Sequence, residues 1–62
     1  MKQLLIIGAS GHGKAVADIA KLNGYENILF FDDNENVKEC GKYPVVGKSL
    51  DVKAYEGDVI VA

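Results

Sequence analysis

The sequence of 62 residues has one cysteine, one histidine and no arginine, and these shortages exclude several kinds of small protein. Natural domains below roughly 70 residues usually add disulfides or a structural metal. Cys40 has no partner for a disulfide within the chain, and with His12 as the only histidine a closed four-ligand zinc site cannot form within one chain. We therefore expect residues 1–62 to be a single domain that is a fragment of a longer chain.

Long apolar runs and clusters of positive charge are also missing. No window approaches the ~18 consecutive apolar residues of a membrane span, and the opening run 2–7 is too short for a signal sequence and lacks a cleavage site. The seven lysines are dispersed and the net charge is −2, so the basic stripe of a nucleic-acid-binding protein is absent. These features predict a cytoplasmic protein that binds neither membranes nor nucleic acid.

Continuous apolar runs predict the strands. The run 2–8 does not alternate with polar residues, which is typical of a parallel strand covered on both faces. The apolar run 27–31 is expected to be its parallel neighbour, and the apolar run 58–62 is expected to be the final strand. The segment 43–47 is predicted to be a short extended piece because Pro44 restricts the residue before it, and the polar stretch 34–42 is predicted to be a loop.

Between the first two runs the hydrophobic period changes to that of a helix, over residues 12–23. Ser10 is expected to be its N-cap, and Gly24 is expected to close it in the left-handed conformation. A second, brief helix is expected from Ser49 to Glu56. The apolar side of the first helix is predicted at Val16, Ile19 and Ala20. The order β-α-β-(β)-α-β predicts an α/β protein with a small parallel sheet.

The segment 8–14, Gly-Ala-Ser-Gly-His-Gly-Lys, joins the first strand to the first helix. Its glycines permit close backbone approach, and the free N–H groups and dipole of a helix start favour phosphate. In open α/β sheets, ligands bind beyond the carboxyl ends of the strands, where this loop is expected. We therefore expect a phosphate-containing ligand here, with glycine needed only for a tight turn as the alternative. A side chain at Gly11 or Gly13 is expected to block the ligand and leave the strands intact.

The glycine spacing leaves the ligand class open. The dinucleotide fingerprint G-x-G-x-x-G aligns with Gly8, Ser10 and Gly13, so serine replaces its middle glycine. The P-loop pattern is a poorer match, because Ala15 stands where a hydroxyl should bind magnesium.

Two carboxylates, Asp32 and Asp33, follow the second strand about 20 residues after the loop. Such carboxylates can accept hydrogen bonds from ribose or a base, with a solvated turn at 32–34 as the alternative. The acidic stretch 26–39 would repel a 2′-phosphate, which argues against NADP and allows NAD or a uridine nucleotide. His12 can donate to a ligand oxygen, but no partner residue indicates a catalytic role. Lys14 has two interpretations, a phosphate contact or an ion pair with Asp18 four residues on.

The segments IIGASGHGKAVADIAKLNGYENILFFDD, YPVVG and DVIVA resemble the N-terminal domain of a family of hexapeptide-repeat sugar acyltransferases, the sialic acid O-acetyltransferases and UDP-4-amino-sugar (bacillosamine-type) N-acetyltransferases. The resemblance spans essentially all 62 residues. It implies a small Rossmann-like domain that binds the UDP part of a nucleotide-sugar, truncated before a left-handed β-helix that trimerises and binds acetyl-CoA.

Carried onto this sequence, the resemblance implies that Gly11, His12 and Gly13 lie along the diphosphate or sugar, with Ser10 and Lys14 nearby. Asp32 and Asp33 would face the uridine. The resemblance also implies a homotrimeric acetyltransferase whose catalytic histidine lies in the β-helix, so no catalytic residue is expected among these 62. The sugar, and the choice between its amine and its hydroxyl, stay open. Two alternatives are the N-terminal part of an NAD-dependent oxidoreductase and a non-enzymatic nucleotide-binding module.

Overall fold

A computed structural model describes residues 2–62 as one five-stranded sheet flanked by two helical segments. The strands are β1 (Gln3–Ile7), β2 (Asn27–Phe31), β3 (Glu39–Cys40), β4 (Tyr43–Gly47) and β5 (Asp58–Val61). Helix α1 spans Gly11–Leu22, and a single 3-10 helix spans Ser49–Ala54. The α/β class is confirmed, and the predicted order of elements holds except for the additional strand β3 and the 3-10 form of the second helix.

The sheet order is β3-β4-β2-β1-β5, with β1, β2, β4 and β5 parallel. The pairing of β1 with β2 is regular, from Gln3 opposite Asn27 to Ile7 opposite Phe31. After β2 the chain adds β4 on one side of the β1-β2 pair, and β5 then lies on the other side, against β1. The loops after β1, β2 and β4 consequently meet at one edge of the sheet.

The sheet has apolar side chains on both faces. Alternate residues of each strand point to opposite faces, and Leu5 and Phe31 are fully buried on the face away from α1, where Tyr55 packs edge-on against Phe31 with ring centroids 5.2 Å apart. The cluster between α1 and the sheet comprises Leu4, Ile6, Ala17, Ala20, Ile28, Phe30, Cys40 and Tyr43. Burial of β1 on both faces explains its continuous apolar run.

Both ends of α1 follow from the residues that flank it. The Ser10 hydroxyl accepts a hydrogen bond from the Gly13 N–H at 3.2 Å, which confirms the predicted N-cap. At the other end Gly24 has φ +93°, and the N–H groups of Gly24 and Tyr25 reach the carbonyls of Lys21 and Ala20. This is a Schellman motif, and it confirms the predicted closure at Gly24.

Three details of the sequence-based prediction are corrected. Ile19 is 61% exposed, because the small residues Ala17 and Ala20 face the sheet instead. The end of the predicted loop 34–42 contains β3, which pairs antiparallel with β4. The turn between β3 and β4 has a positive φ at Gly41 and not at the next residue, as in a type II′ hairpin.

The third correction concerns the second helix. It is a 3-10 helix whose N-cap is Lys48, and the predicted N-cap Ser49 lies inside it. The Asp51 carboxylate accepts a hydrogen bond from the Lys48 N–H at 2.8 Å. A side chain three residues after the N-cap therefore satisfies a backbone donor at the start of the helix.

The strand β5 is present as predicted, but all four of its residues are exposed in residues 2–62. Of the helices in the described part of the chain, none is long and apolar enough to cross a membrane.

Candidate functional site

The predicted site residues follow strand ends at one edge of the sheet. The glycine-rich segment 8–14 follows β1, and Asp32 and Asp33 follow β2. Lys48, which the sequence did not predict, follows β4 at the same edge. In parallel sheets this carboxyl edge is where ligands bind. The topology therefore brings together residues that lie up to 40 positions apart in the sequence.

The start of α1 presents two backbone donors. The N–H of Lys14 is bonded to the Ser10 carbonyl at 2.9 Å, and the N–H of Gly13 is bonded to the Ser10 hydroxyl. The N–H groups of Gly11 and His12 make no hydrogen bond within residues 2–62. Unbonded N–H groups at the positive end of a helix form a favourable place for a phosphate group.

Two glycines of this loop have different structural roles. A Cβ atom added at Gly11 would have open space around it, with no heavy atom within 4 Å. A Cβ at Gly13 would overlap the carbonyl oxygen of Gly8 and come within 3.0 Å of the Phe30 ring. The expectation that a side chain at Gly13 leaves the strands intact is therefore wrong, whereas Gly11 is free of such packing.

Asp32 joins the loop to the end of β2. Its Oδ2 accepts a hydrogen bond from the Ala9 N–H and its Oδ1 accepts one from the Asn34 N–H, both at 2.9 Å. The hydrogen bonds from Asn34 and then from Ala9 hold the pKa of this carboxyl below its usual value. Asp32 is thus an ionised acceptor that is partly occupied by the protein's own backbone.

Asp33 points to the 3-10 helix instead. Its Oδ1 accepts hydrogen bonds from the N–H and from the hydroxyl of Ser49, each at 2.9 Å. These two contacts, the backbone one first, lower the pKa of Asp33. The two adjacent carboxylates therefore attach different segments to β2, and Ser49 acquires a role that its sequence context did not reveal.

Lys14 and His12 differ in how they are held. Lys14 Nζ lies 3.0 Å from the Asp18 carboxylate in an exposed ion pair, and this hydrogen bond is the main cause of the raised pKa of Lys14. A Cβ at Gly41 would touch the Lys14 side chain, so its methylene groups lie against the β3-β4 turn. His12 is exposed at the second position of α1.

An open groove of about 400 Å³ lies beside Asp32, at the ends of β2 and β4. Three valines supply its apolar surface, Val37, Val45 and Val46. Its charged residues have both signs: Asp32, Glu35, Lys38, Lys48 and Asp51. Because Asp32 both lines the groove and bonds to Ala9, the groove and the glycine loop adjoin. An elongated ligand with a charged and a flat part would fit this arrangement.

Reasoning from the sequence missed Lys38, Lys48 and the valines of the groove. The residues 43–47 showed only an extended piece, and the groove at Val45 and Val46 exists because β4 pairs with β2, which the sequence does not show. The sequence signal that was available is the position of Lys48 directly after a predicted strand. Within residues 2–62, no three acidic, histidine or cysteine side chains come together as a metal site.

Comparisons with known proteins show the family and the fold of this chain. The family model described as the PglD N-terminal domain matches residues 3–62. Two solved structures of the acetyltransferase domain of PglB from Neisseria gonorrhoeae are similar, each with 36% identity. The structure in complex with acetyl coenzyme A has a TM-score of 0.84 over 98% of this chain, and the other has 0.83 over 100%.

The present chain covers 31% and 32% of those two chains, and so spans about a third of their length. The match to the family model covers nearly every residue, including the glycine loop and the Asp32-Asp33 pair. The shared α/β sheet is the fold expected from the sequence. The chain belongs to the PglD N-terminal domain family.

Proposed function

We propose that this chain binds the UDP part of a nucleotide-sugar that accepts an acetyl group from acetyl-CoA. The observation that carries the proposal is the pair of unbonded N–H groups of Gly11 and His12, which lie next to a groove shared with Asp32. A diphosphate needs donors and positive potential, and a nucleoside needs a groove with polar residues and apolar surface. The two requirements occur side by side at one sheet edge.

The diphosphate would lie against the start of α1. The open space at Gly11 lets a phosphate approach the backbone, and His12 can add a side-chain donor because it is exposed. Ser10 and Gly13 fix the first turn through their mutual hydrogen bond. Lys14 can exchange Asp18 for a phosphate, since an exposed ion pair of this kind is weak.

The uridine would extend from there into the groove, past Asp32 and towards Asp33. Each of these carboxylates keeps lone pairs beyond those used by backbone and Ser49 donors, so each can still accept from a ribose hydroxyl or a base N–H. The acidic residues around the groove disfavour an additional 2′-phosphate. That charge distribution supports an unphosphorylated ribose.

The reaction served by this binding is acetyl transfer to a sugar amine or hydroxyl. One solved relative is an acetyltransferase domain in complex with acetyl coenzyme A. In such a transfer the amine or hydroxyl attacks the thioester carbonyl and the thiol leaves. Binding of the distant UDP part holds the sugar in place for this attack. The binding of acetyl-CoA and the trimeric assembly implied by the family resemblance belong to this proposal as well.

The present residues take no chemical step in that reaction. His12 is the only histidine, and no carboxylate of residues 2–62 forms an ion pair or hydrogen bond with it. A general base needs such an orienting partner to be effective. We therefore assign His12 to ligand contact alone.

Isothermal titration calorimetry with UDP, a UDP-amino sugar and NAD tests the proposal. UDP and the UDP-amino sugar should bind more tightly than NAD, because the groove holds one nucleoside and the loop holds one diphosphate. Gly11→Val should weaken UDP binding at least about tenfold, since a side chain there blocks the backbone donors. Leu22→Val is the control, because Leu22 is 87% exposed in the last turn of the same helix.

Two results would refute this function. One is tighter binding of NAD than of UDP. The other is a Gly11→Val variant that remains folded and keeps the UDP affinity of the unmodified chain. In the second case the glycines would serve only to form a tight turn.

A further inference from the structure

The end of β2 holds the glycine loop through hydrogen bonds from two consecutive backbone N–H groups. The Gly8 N–H donates to the Phe31 carbonyl at 2.8 Å, and the Ala9 N–H donates to Asp32 Oδ2 at 2.9 Å. The first bond extends the ladder between the two strands. The second has a side-chain acceptor, at the point where the loop leaves the sheet.

Asp32 is itself fixed from three directions. Its N–H donates to the Gly47 carbonyl at 2.9 Å, its Oδ1 accepts from Asn34, and its side chain is half-buried. The carboxylate therefore has little freedom to turn. The loop residue that it holds, Ala9, is two positions before Gly11, the first residue of α1.

We propose that Asp32 is a positioning residue of the anion-binding loop, which holds Ala9 so that the N–H groups of Gly11 and His12 point at the diphosphate. This inference rests on the proposed function and gives Asp32 a part that differs from direct contact with the nucleoside. A loop that is already in its bound conformation does not lose conformational entropy when the ligand binds. Asp32 contributes to affinity through that preorganisation.

The chemistry of the side chain explains why an acid serves here. A carboxylate can accept on both oxygens, and in Asp32 the two oxygens face two N–H donors. An asparagine at this position has one acceptor oxygen, and its NH₂ group would face the remaining N–H. Asparagine can therefore keep one of the two bonds, and alanine can keep neither.

The positioning role can be tested because the charge of Asp32 and its attachment of the loop have opposite effects on the affinity for an anion. A negative charge close to a bound diphosphate repels it, so removal of the Asp32 charge by itself should raise the affinity for an anion. Loss of the loop attachment should lower that affinity. A direct contact between Asp32 and ribose or base would affect UDP and uridine but would leave inorganic pyrophosphate unaffected, because pyrophosphate lacks both groups.

The experiment titrates the 62-residue chain with inorganic pyrophosphate, UDP and uridine, followed by NMR amide shifts. The variants are Asp32→Ala and Asp32→Asn. Asp33→Ala is the matched control, because it removes the same charge from the adjacent position but breaks bonds to Ser49 and none to the loop. Circular dichroism verifies that each variant is folded. If Asp32→Ala is not folded, the affinities of Asp32→Asn are used for the test.

Asp32→Ala should weaken pyrophosphate about tenfold. It should weaken UDP by at least the same factor, because UDP can also lose a contact between its nucleoside and Asp32. Asp32→Asn should weaken both by less. Asp33→Ala is compared for pyrophosphate alone, because the proposed function places Asp33 at the nucleoside, and it should leave pyrophosphate affinity unchanged or higher. In the ligand-free chain, hydrogen exchange of the Ala9 amide should accelerate in Asp32→Ala relative to the Gly8 amide, which keeps its bond to Phe31.

Unchanged or tighter pyrophosphate binding by Asp32→Ala overturns the positioning role. If UDP alone is weakened, Asp32 contacts the nucleoside directly. Unaltered exchange at Ala9 also overturns the inference, whatever the affinities. Failure of the proposed function gives a different result, in which the unmodified chain binds neither UDP nor pyrophosphate. In that case the proposed role of Asp32 in binding is refuted as well.

Discussion

Gly13 packs against the carbonyl group of Gly8, so that a Cβ atom at position 13 would overlap the Gly8 oxygen. The contact brings the first turn of α1 directly onto the end of β1. It also places the start of the helix at the carboxyl edge of the sheet, where the loop donors are needed. The close approach requires glycine at position 13 for the fold, independently of any ligand.

Gly13→Ala should therefore lower the free energy of unfolding by about 1–3 kcal/mol, the usual range for an overpacked site. Gly11→Ala should leave it unchanged or slightly raise it, because the added methyl group meets open space and alanine is the better helix former. Urea unfolding followed by circular dichroism measures both. Equal stability of the two variants would contradict the packing role of Gly13.

The effect of a substitution at Gly24 on stability should depend only on the backbone conformation of this residue. Its φ is +93°, and a Cβ there would have no heavy atom within 4 Å. Replacement by L-alanine should cost about 1 kcal/mol of stability, because L-residues are strained in the left-handed region. A chain of 62 residues can be synthesised chemically, and D-alanine at this position should be at least as stable as glycine. If the L and D forms have the same stability, the Schellman motif is not maintained in solution.

Cys40 should react slowly with thiol reagents in the folded chain. Its side chain is 8% exposed, its Sγ donates to the Ser10 carbonyl at 3.4 Å, and burial raises the pKa of the thiol. Both the access of the reagent and the fraction of thiolate are therefore low at pH 8. Labelling with a chromogenic disulfide should be at least about tenfold slower than in urea. Equal rates would show that β3 opens readily.

The stability of the chain should fall in acid because of Asp32 and Asp33. The pKa values of both carboxyls are lowered in the folded state below the ordinary value of 3.8. A lowered pKa gives stability that is fully present above the unfolded-state value and is lost as pH falls through the folded-state value. The urea midpoint should therefore decrease as pH falls below about 4.

Asp33→Asn identifies the source of this pH dependence. The difference in urea midpoint between the unmodified chain and Asp33→Asn should be largest near neutral pH and should narrow as Asp33 is protonated. Glu39→Gln, a change at an exposed carboxylate on β3, is the comparison. A difference that stays constant down to about pH 2 would show that the Asp33 contacts to Ser49 do not depend on its charge.

Several elements could be predicted because local chemistry decides them. Ser10 can cap a helix with its own hydroxyl, and Gly24 can adopt a positive φ without strain, so both ends of α1 follow from short segments. The continuous apolar run of β1 indicates burial on both faces, and the structure buries Leu4 and Ile6 towards α1 and Leu5 on the opposite face. The glycine loop was predicted at the carboxyl edge because it directly follows β1, a parallel strand.

Other features depend on contacts between distant residues. Ile19 has the right spacing for the apolar side of α1 but is exposed, because close packing against the sheet favours the smaller Ala17 and Ala20. The pairing of β3 with β4 joins a polar stretch to an extended one, and the sequence of neither shows it.

The sequence by itself determined the kind of protein, the parallel α/β order, the caps of α1 and the position of the glycine loop, because each depends on hydrophobic period or on residues within one or two turns. Only the tertiary structure decided what Asp32 and Asp33 hold. Their hydrogen bonds reach Ala9, 23 residues earlier, and Ser49, 16 residues later. Partners at such separations are chosen by the order of strands in the sheet, which determines the strand ends that meet.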